Sequence, residues 1–305
     1  MPRTVQISIP SGQTDEALGK VGALPGIVGL ALFRGASVSP PGDVLSIQAT
    51  NEGTRALFGL VDTLGLTEQG SLASSDLQSL VSGKNRRLLE NESNEITREE
   101  MAFFLRKETN LKASYLALMA IAGGIAAGGL LSDTLHLVVA SMLIAPGFEP
   151  FVRVSFGWVG GPGRLAASGM LSIITGYLSL ALGAAIVFLL LSAATPSLKS
   201  TYTELTWVHY WSTVTGTGIM VSILAGIAGT IVVMSNRSVL TTGVMIGLAL
   251  IPSLALAGTA LAAGDVQFCL KALLRWLVDA AIVLATSLVL LGIKQALVRS
   301  ARSPD

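Results

Sequence analysis

Two prolines inside long apolar stretches are the residues of this chain that point most directly to chemistry. Pro146 lies 11 residues into one stretch and Pro252 lies 14 residues after Ser238 in another, about 17 Å and 21 Å at 1.5 Å per residue. A proline removes one helical hydrogen bond, and the carbonyl that it frees must face protein or water instead of lipid. Two breaks at matched depths predict a polar path near the middle of a bilayer. Kinking prolines also occur in helices with no transport role.

Glu149 is the ionisable residue next to the first break. In the run Gly147-Phe148-Glu149-Pro150 the second proline suits the first turn of a new half-helix, and Glu149 suits its N-cap. A carboxylate there meets free N–H groups and the positive end of the helix dipole. An ionisable side chain inside a span is a candidate site, and this one suits cation binding or proton relay. It is equally suited to capping the half-helix, or to pairing with Arg153.

Hydroxyl groups and glycines surround the two prolines. Four hydroxyls are candidates to line the path: Ser141, Thr241, Thr242 and Ser253. Such hydroxyls also donate to carbonyls of their own helix, so both interpretations stay open. Two GxxxG pairs predict close helix packing: Gly124 with Gly128, and Gly243 with Gly247.

Asp279 follows Arg275 by one helical turn in the last apolar stretch. This spacing predicts a buried ion pair near the outer interface. Asp133 and His136 fall in a short hairpin and are expected to be solvated. The chain has no HExxH, GxSxG or P-loop motif, so no enzymatic function is predicted.

The composition is that of a membrane protein with a water-soluble part. Of 305 residues, 51% are hydrophobic and 13% are charged, against roughly 25% charged in soluble domains. A net charge of +1 argues against nucleic acid as a partner. One cysteine, Cys269, and two histidines exclude a disulfide within the chain and a Cys- or His-rich metal site, and no cofactor is expected.

Six apolar spans of about 20 residues must position these groups, because a hydrocarbon core is about 30 Å thick. They are predicted at Leu111–Leu131, Leu135–Val159, Leu165–Leu191, Thr213–Met234, Val239–Ala263 and Leu273–Ile293. The transmembrane domain is thus expected over residues 111–293, with broken helices in spans two and five. A charged linker with an amphipathic helix is expected over residues 83–110, either along the membrane surface or continuous with the first span.

The basic residues predict the orientation in the cell membrane. Arg86, Arg87, Arg98, Arg106, Lys107 and Lys112 precede the first span, and Lys294, Arg299 and Arg302 follow the last. By the positive-inside rule both termini, including the tail at 294–305, are predicted to be cytoplasmic. Lys199, Lys271 and Arg275 are then expected on the outer side. The longest outer loop carries Trp207, Tyr210 and Trp211, a predicted interfacial aromatic cluster.

One stretch of sequence occurs twice, at Ala122–Pro150 and at Ala225–Leu256. Each copy contains a Gly/Ala-rich span, a short polar hairpin and a span interrupted by proline. The copies begin three spans apart, which predicts a 3+3 inverted repeat of the kind found in many transporters. The match is weak residue by residue, and Gly/Ala-rich spans also resemble one another by chance.

Residues 1–82 are predicted to form a soluble domain. Val5, Ile7 and Ile9 alternate with polar residues as in a strand, and Thr14–Leu24 has a helical period. Strands at Ile27–Phe33 and Val44–Ala49 and a helix at Thr54–Leu64 follow, and Gly70–Leu80 fits a strand or a helix. The order β-α-β-β-α-β predicts a ferredoxin-like domain, similar in outline to ACT-type small-molecule sensors. Regulation by a bound metabolite and subunit assembly are both open roles.

The two proline-containing segments resemble a family of membrane proteins known as domain of unknown function 389. The resemblance lies in ASMLIAPGFEPFVR (Ala140–Arg153) and SILAGIAGTIVVMSNRSVLTTGVMIGLALIP (Ser222–Pro252). It implies a small N-terminal αβ domain followed by several spans, and it implies no established activity. The chain departs from the family pattern at Phe148-Glu149-Pro150, where the family has Gly-Pro, and at Pro252-Ser253, where it often has two prolines.

These features together predict a membrane transporter or channel for a small ion or polar solute. A six-span layout with breaks in spans two and five is similar to aquaporin-like and formate/nitrite channels, a likeness of fold alone. Those channels are oligomers, and the Gly-rich faces predict a homo-oligomer in the lipid bilayer. The alternative is a non-transporting sensor or scaffold that oligomerises through its spans.

Overall fold

The computed structural model describes residues 2–66, 70–77, 101, 105, 112–235 and 241–300. For residues 76, 241, 242 and 298–300 only the backbone is described. The chain divides into two compact units, residues 1–100 and 101–305. Almost all of the predicted linker, residues 83–110, lies outside the described residues, so both interpretations of it stay open.

A four-stranded antiparallel sheet with two helices forms the first unit. Its elements are β1 (Arg3–Ile9), α1 (Thr14–Gly22), β2 (Ile27–Val38), β3 (Pro41–Ala49), α2 (Asn51–Thr63) and β4 (Ser71–Asp76). The strand order is β2-β3-β1-β4. The β-α-β-β-α-β order is the predicted one, and the segment that fitted either a strand or a helix is strand β4. The strands β2 and β3 extend beyond their predicted bounds and leave a shorter connection, because Ser37 and Val38 pair with Gly42 and Pro41.

The core of this unit lies between one face of the sheet and the two helices. The alternating residues Val5, Ile7 and Ile9 of β1 are buried, as the period of two predicts. The helices contribute Ala17, Val21, Leu57 and Val61 to the same cluster.

Asp43 is a buried carboxylate at the start of β3. It accepts hydrogen bonds from Gly35 N at 2.7 Å, Thr14 Oγ1 at 2.8 Å and Ser11 Oγ at 3.3 Å. The Gly35 N–H, followed by the Thr14 hydroxyl, holds the pKa of Asp43 below its usual range. These bonds join the β2–β3 hairpin to the start of α1.

All of the regular secondary structure described in the second unit is helical. Its helices are α3 (Ala113–Leu131), α4 (Leu135–Ile144), α5 (Glu149–Trp158), α6 (Gly163–Ala194), α7 (Leu198–Thr201), α8 (Thr206–Ser212), α9 (Gly216–Met234), α10 (Thr241–Gly247), α11 (Leu250–Ala263) and α12 (Val266–Ser300). Four of them, α3, α6, α9 and α12, are long and apolar enough to cross a membrane. The pair α4 and α5, bent by 44° at its break, passes the same test when taken together.

The predicted count of six spans is not confirmed. The predicted fifth span, Val239–Ala263, contains α10 and α11, which have 7 and 14 residues. Since about 20 residues are needed to cross the hydrocarbon core, neither is long enough alone. The last helix is longer than predicted: it begins at Val266 and not at Leu273, so Lys271 also lies within it. The predicted inverted repeat stays a prediction.

The short helices pack against the long ones in a regular way. Both α5 and α11 contact α6 and α12, while α4 contacts α10. The long helices pair as α3 with α6 and as α9 with α12. Large apolar side chains on their outer faces are exposed, among them Leu178, Leu182, Leu190 and Leu274. Such faces are expected of helices that are surrounded by lipid.

Three helix connections lie together at one end of this unit. Asp133 in the first hairpin accepts a hydrogen bond of 3.0 Å from Trp207 N at the start of α8. Tyr202, in the same long connection as Trp207, donates to Asp265 at 3.3 Å in the turn before α12. The predicted aromatic residues of this connection do contact one another: Trp207 with Tyr210 at 5.9 Å and Tyr210 with Trp211 at 4.8 Å between ring centroids.

Candidate functional site

The first break separates α4 from α5 at residues 145–148, around the predicted Pro146. Pro150 is the second residue of α5, in the first turn as expected. Glu149 is the first residue of α5 and Phe148 is the N-cap, so the predicted capping position of Glu149 is wrong by one residue. A proline at the second helical position is compatible with the helix starting one residue earlier than predicted, because no intrahelical donor is needed there.

Gly147 is the point where the two interrupted segments meet. A Cβ atom at Gly147 would lie 3.1 Å from Cε of Met245 in α10 and 3.2 Å from Cδ1 of Ile251 in α11. The same atom would lie 2.8 Å from the hydroxyl of Tyr177 in α6, which donates to Gly147 O at 3.2 Å. A side chain at position 147 would therefore displace the ends of these three side chains, and the Tyr177 hydroxyl satisfies a carbonyl of the broken backbone.

The second break lies at Leu248 and Ala249, between α10 and α11. It was predicted at Pro252, but that residue is the third of α11. A proline in the first helical turn costs no helical bond, so the helix begins before it. The break itself is buried: Leu248 and Ala249 are 0% and 1% exposed.

Asp279 of α12 binds the backbone of the second break. Its Oδ2 atom accepts a hydrogen bond of 3.1 Å from Ala249 N, and its Oδ1 atom accepts one of 2.8 Å from Ser222 Oγ in α9. Arg275 Nε lies 3.4 Å from Oδ2, so the predicted ion pair is confirmed. The Asp279 side chain is fully buried. The second break therefore also has a carboxylate at the start of its half-helix, which is supplied by another helix and was not predicted in that role.

Tyr177 connects the surroundings of the two breaks. Its ring contacts Phe151 of α5 edge-on at 5.8 Å and Trp276 of α12 at 5.2 Å. Trp276 lies one turn before Asp279, so one aromatic cluster extends from α5 to the helix that binds the second break. Half-buried Glu149 interacts electrostatically with Tyr177 and Tyr115.

The predicted path hydroxyls donate to their own helices where they are described. Ser141 Oγ donates to Val138 O at 2.6 Å, and Ser253 Oγ donates to Ala249 O. Both residues are fully buried. Thr242 belongs to α10, and its side chain, like that of Thr241, lies outside the described part.

The predicted packing glycines divide into two groups. A Cβ at Gly124 would lie 2.9 Å from Val187 of α6, and one at Gly247 would lie 3.0 Å from Ala225 of α9. Gly128 and Gly243 would meet no atom within 4 Å.

The tightest contact between α3 and α6 was missed by the GxxxG pattern. A Cβ at Gly123 would overlap the carbonyl oxygen of Leu180, and one at Gly183 would overlap that of Ala120. No sequence spacing identifies Gly123 and Gly183, because the close contact at each depends on the backbone of the facing helix.

One open cavity of about 650 Å³ lies at the far end of α4 from the break. It is lined by Asp133, Thr134, Leu135, His136, Val139 and Trp207. His136 is exposed, as expected. Among the described residues no three His, Cys, Asp or Glu side chains lie close enough together to hold a metal ion.

Comparison with known proteins covers the part of the chain that contains both breaks. Residues 142–285 match the family described as Domain of unknown function (DUF389). The chain is also 28% identical over 190 residues to the uncharacterized protein MJ0678 of Methanocaldococcus jannaschii. The alignment covers 62% of this chain and 56% of that protein, so the chain matches a little over half of its relative's length. No solved structure matches. The resemblance seen in the sequence is therefore confirmed, and the segment that matches the DUF389 family contains the two breaks and Asp279.

Proposed function

We propose that this protein moves a small ion or polar solute across the cell membrane, past the point where the two breaks meet. The contact of Gly147 with Met245 and Ile251 is the observation that supports this most directly. Non-helical backbone at membrane depth is tolerated only where it is buried in protein or lines a water-filled cavity. Transporters of several folds bind their solutes at such broken helices.

The packing of the helices supports two inverted units, residues 113–194 and 216–300, as part of the proposal. A two-fold axis in the membrane plane would exchange α4 with α10, α5 with α11 and α6 with α12. The contacts agree with that exchange, since α4 contacts α10 and both α5 and α11 contact α6 and α12. Rocking of one unit against the other would then open the breaks to either side in turn.

Asp279 and Glu149 have different roles in this proposal. Asp279 fixes the start of α11 and keeps a charge at the second break, while Glu149 faces the first break from α5. Both termini are cytoplasmic and the protein is a homo-oligomer. The N-terminal domain regulates the path or assembles the subunits, and no catalytic step is involved.

Flux into liposomes that contain the purified full-length protein tests the proposal. The panel should include monovalent and divalent cations, anions and neutral polar solutes, with orientation and folding verified. We expect a selective flux that Glu149→Gln strongly reduces. The matched control is Glu204→Gln, at an exposed glutamate of the connection between α6 and α9. Silence across the whole panel in folded protein would overturn the proposal.

A scaffold or sensor that carries no solute is the second candidate. It is favoured by the way in which the broken backbone is satisfied: Tyr177 binds Gly147 O and Asp279 binds Ala249 N. Cysteine accessibility separates the two candidates. In a Cys269→Ser background, Ser141→Cys and Ser253→Cys should react with a charged thiol reagent if water reaches the breaks. Complete protection of both from either side of the membrane would favour the scaffold.

A further inference from the structure

The open cavity at the start of α4 is separate from both breaks. It has a volume of about 650 Å³ and is lined by Asp133, Thr134, Leu135, His136, Val139 and Trp207. Cavities of roughly 300–1,000 Å³ are the size that small organic ligands occupy in proteins. The length of α4, Leu135–Ile144, puts about 14 Å between this cavity and the first break. A ligand here would therefore be bound outside the path proposed above.

Asp133 supplies a carboxylate that is fixed in position but not neutralised. Its Oδ1 atom accepts a hydrogen bond of 3.0 Å from Trp207 N, which holds the side chain in place. Its backbone has a φ of 50°, a left-handed conformation that aspartate adopts more readily than most residues. Within the described residues Oδ2 accepts no hydrogen bond, and no Lys or Arg forms an ion pair with this carboxylate. One oxygen and a full negative charge are thus available to a ligand.

Thr134 and His136 add acceptors beside this carboxylate. Thr134 Oγ1 donates its proton to Ser132 O at 3.0 Å, so it can act towards a ligand only as an acceptor. His136 is exposed and has no hydrogen bond to the described part of the chain. A neutral imidazole has one acceptor nitrogen. Three acceptors and one negative charge are the complement of a primary ammonium group, which has three N–H donors.

The rest of the cavity lining is apolar. Leu135 and Val139 lie four residues apart and therefore on the same face of α4. Leu135 is 39% exposed, and Val139 and Trp207 are half-buried, so all three have surface left to cover. An indole ring contacts alkyl chains and also attracts a cation over its face. This combination suits an ammonium group that is joined to an apolar chain.

Other classes of small ligand fit this cavity less well. An anion would be repelled by Asp133, which has no cationic partner among the described residues to offset it. A neutral apolar molecule would cover the carboxylate without pairing it, which is costly. A tightly held metal ion needs more ligands than Asp133 and His136, and no group of three His, Cys, Asp or Glu is found in the described part.

We propose that this cavity binds a primary amine in its ammonium form, with the nitrogen at Asp133 and the apolar chain along Leu135, Val139 and Trp207. The same chemistry has two sources, a free alkylamine and the ethanolamine headgroup of a phospholipid. The acyl chains of a phospholipid would continue along α4, where Leu143 and Ile144 are exposed. This inference goes beyond the proposed function, because the site would bind its ligand whether or not a solute moves.

Thermal unfolding of the full-length protein in a non-ionic detergent tests the free-amine source. The probe is n-hexylammonium chloride in a buffer without amines, compared with sodium chloride at the same ionic strength. Neutral n-hexanol, with the same chain and no charge, is the second comparison. A ligand that binds the folded state raises the unfolding midpoint with saturation. We expect this rise with hexylammonium and not with sodium or hexanol.

Three variants locate the binding. Asp133→Asn keeps an acceptor for Trp207 N and suits the left-handed backbone, and we expect it to weaken the apparent affinity about fivefold. Val139→Phe fills the cavity without changing a charge and should also weaken binding. The matched control Glu204→Gln removes an exposed charge from the connection that carries Trp207, but not from the cavity, and should bind as wild type does.

The control and the second variant keep this location falsifiable. Equal losses in Asp133→Asn and Glu204→Gln would show a general effect of charge and would overturn the site. Wild-type affinity in Val139→Phe would overturn the location even if Asp133→Asn fails to fold.

Native mass spectrometry tests the lipid source. The full-length protein is extracted in non-ionic detergent from vesicles with equal amounts of phosphatidylethanolamine and phosphatidylcholine. Retention of phosphatidylethanolamine over phosphatidylcholine that Asp133→Asn removes would support the site with the lipid as its ligand. Neither stabilisation by hexylammonium nor selective retention of phosphatidylethanolamine would overturn the inference. None of these measurements involves flux, so their result is independent of the liposome experiment.

Discussion

Asp279 Oδ2 accepts a hydrogen bond of 3.1 Å from the backbone N–H of Ala249, 30 residues earlier in the chain. The bond joins the last helix to the start of α11, where the backbone has just left helical geometry. It is buried, and the same carboxylate is paired with Arg275. The second break is thus stabilised from outside its own segment.

Removal of the Asp279 carboxylate should destabilise the helical unit strongly. Asp279→Ala leaves Arg275 buried without its counter-charge, and losses of this kind are about 3–5 kcal/mol. We expect a large fall in the unfolding midpoint in detergent, with partial recovery in Arg275→Gln/Asp279→Ala. The exposed Asp62→Ala serves as control. Equal stability of wild type and Asp279→Ala would show that the pair and its bond to Ala249 contribute nothing.

Loss of the Tyr177 hydroxyl should have a smaller effect. Tyr177→Phe keeps the ring contacts with Phe151 and Trp276 but removes the donor to Gly147 O. A net loss of about 1 kcal/mol is expected from one buried hydrogen bond. Unfolding of Tyr177→Phe is best compared with that of Tyr210→Phe, an exposed tyrosine. The prediction fails if the two variants lose the same amount.

Two glycines of α3 should respond to alanine in opposite directions. Gly123→Ala places a methyl group onto the Leu180 carbonyl and should cost about 1–3 kcal/mol through overpacking. Gly128→Ala meets no atom within 4 Å, and alanine favours a helix over glycine by about 0.5–1 kcal/mol, so it should be neutral or stabilising. Unfolding midpoints of both variants test this. A loss in Gly128→Ala as large as in Gly123→Ala would indicate that this face has a partner.

Acid should loosen the N-terminal sheet through Asp43. Because Gly35 and Thr14 lower the pKa of Asp43 in the folded state, its contribution is fully present above the unfolded value of about 3.9. The contribution is lost as the pH falls through the lower folded value. Hydrogen exchange of β3 in the full chain between pH 5 and pH 2.5 should show this loss. Asp43→Asn should exchange faster at pH 5 and change less with acid; an unchanged pH profile in that variant would contradict the assignment.

Local patterns predicted the local structure well. The alternation of Val5, Ile7 and Ile9 marked β1, and Pro146 marked the first break, since both depend on residues close in sequence. The ion pair of Arg275 with Asp279 followed from i,i+4 spacing in the same way. The position of the second break did not follow, because a proline tolerated in a first turn was taken as the break itself.

The contacts that define the candidate site depend on how helices dock. No spacing relates Asp279 to Ala249, or Gly123 to Leu180, since each pair is formed by different helices. The sequence therefore drew attention to Glu149, a carboxylate beside a proline, and identified Asp279 only as the partner of Arg275 and not as the acceptor for the broken backbone.

The bond between Asp279 and Ala249 also bears on biosynthesis. The ribosome makes Ala249 before Asp279, and at about 5–20 residues per second the 30 intervening residues take about 2–6 s. During that interval α11, with 14 residues, is too short to cross a bilayer, and the N–H of its N-cap residue Ala249 lacks its acceptor. Stable integration of this segment should therefore wait until α12 has left the ribosome, so nascent chains that end before Asp279 should be targets for membrane quality control.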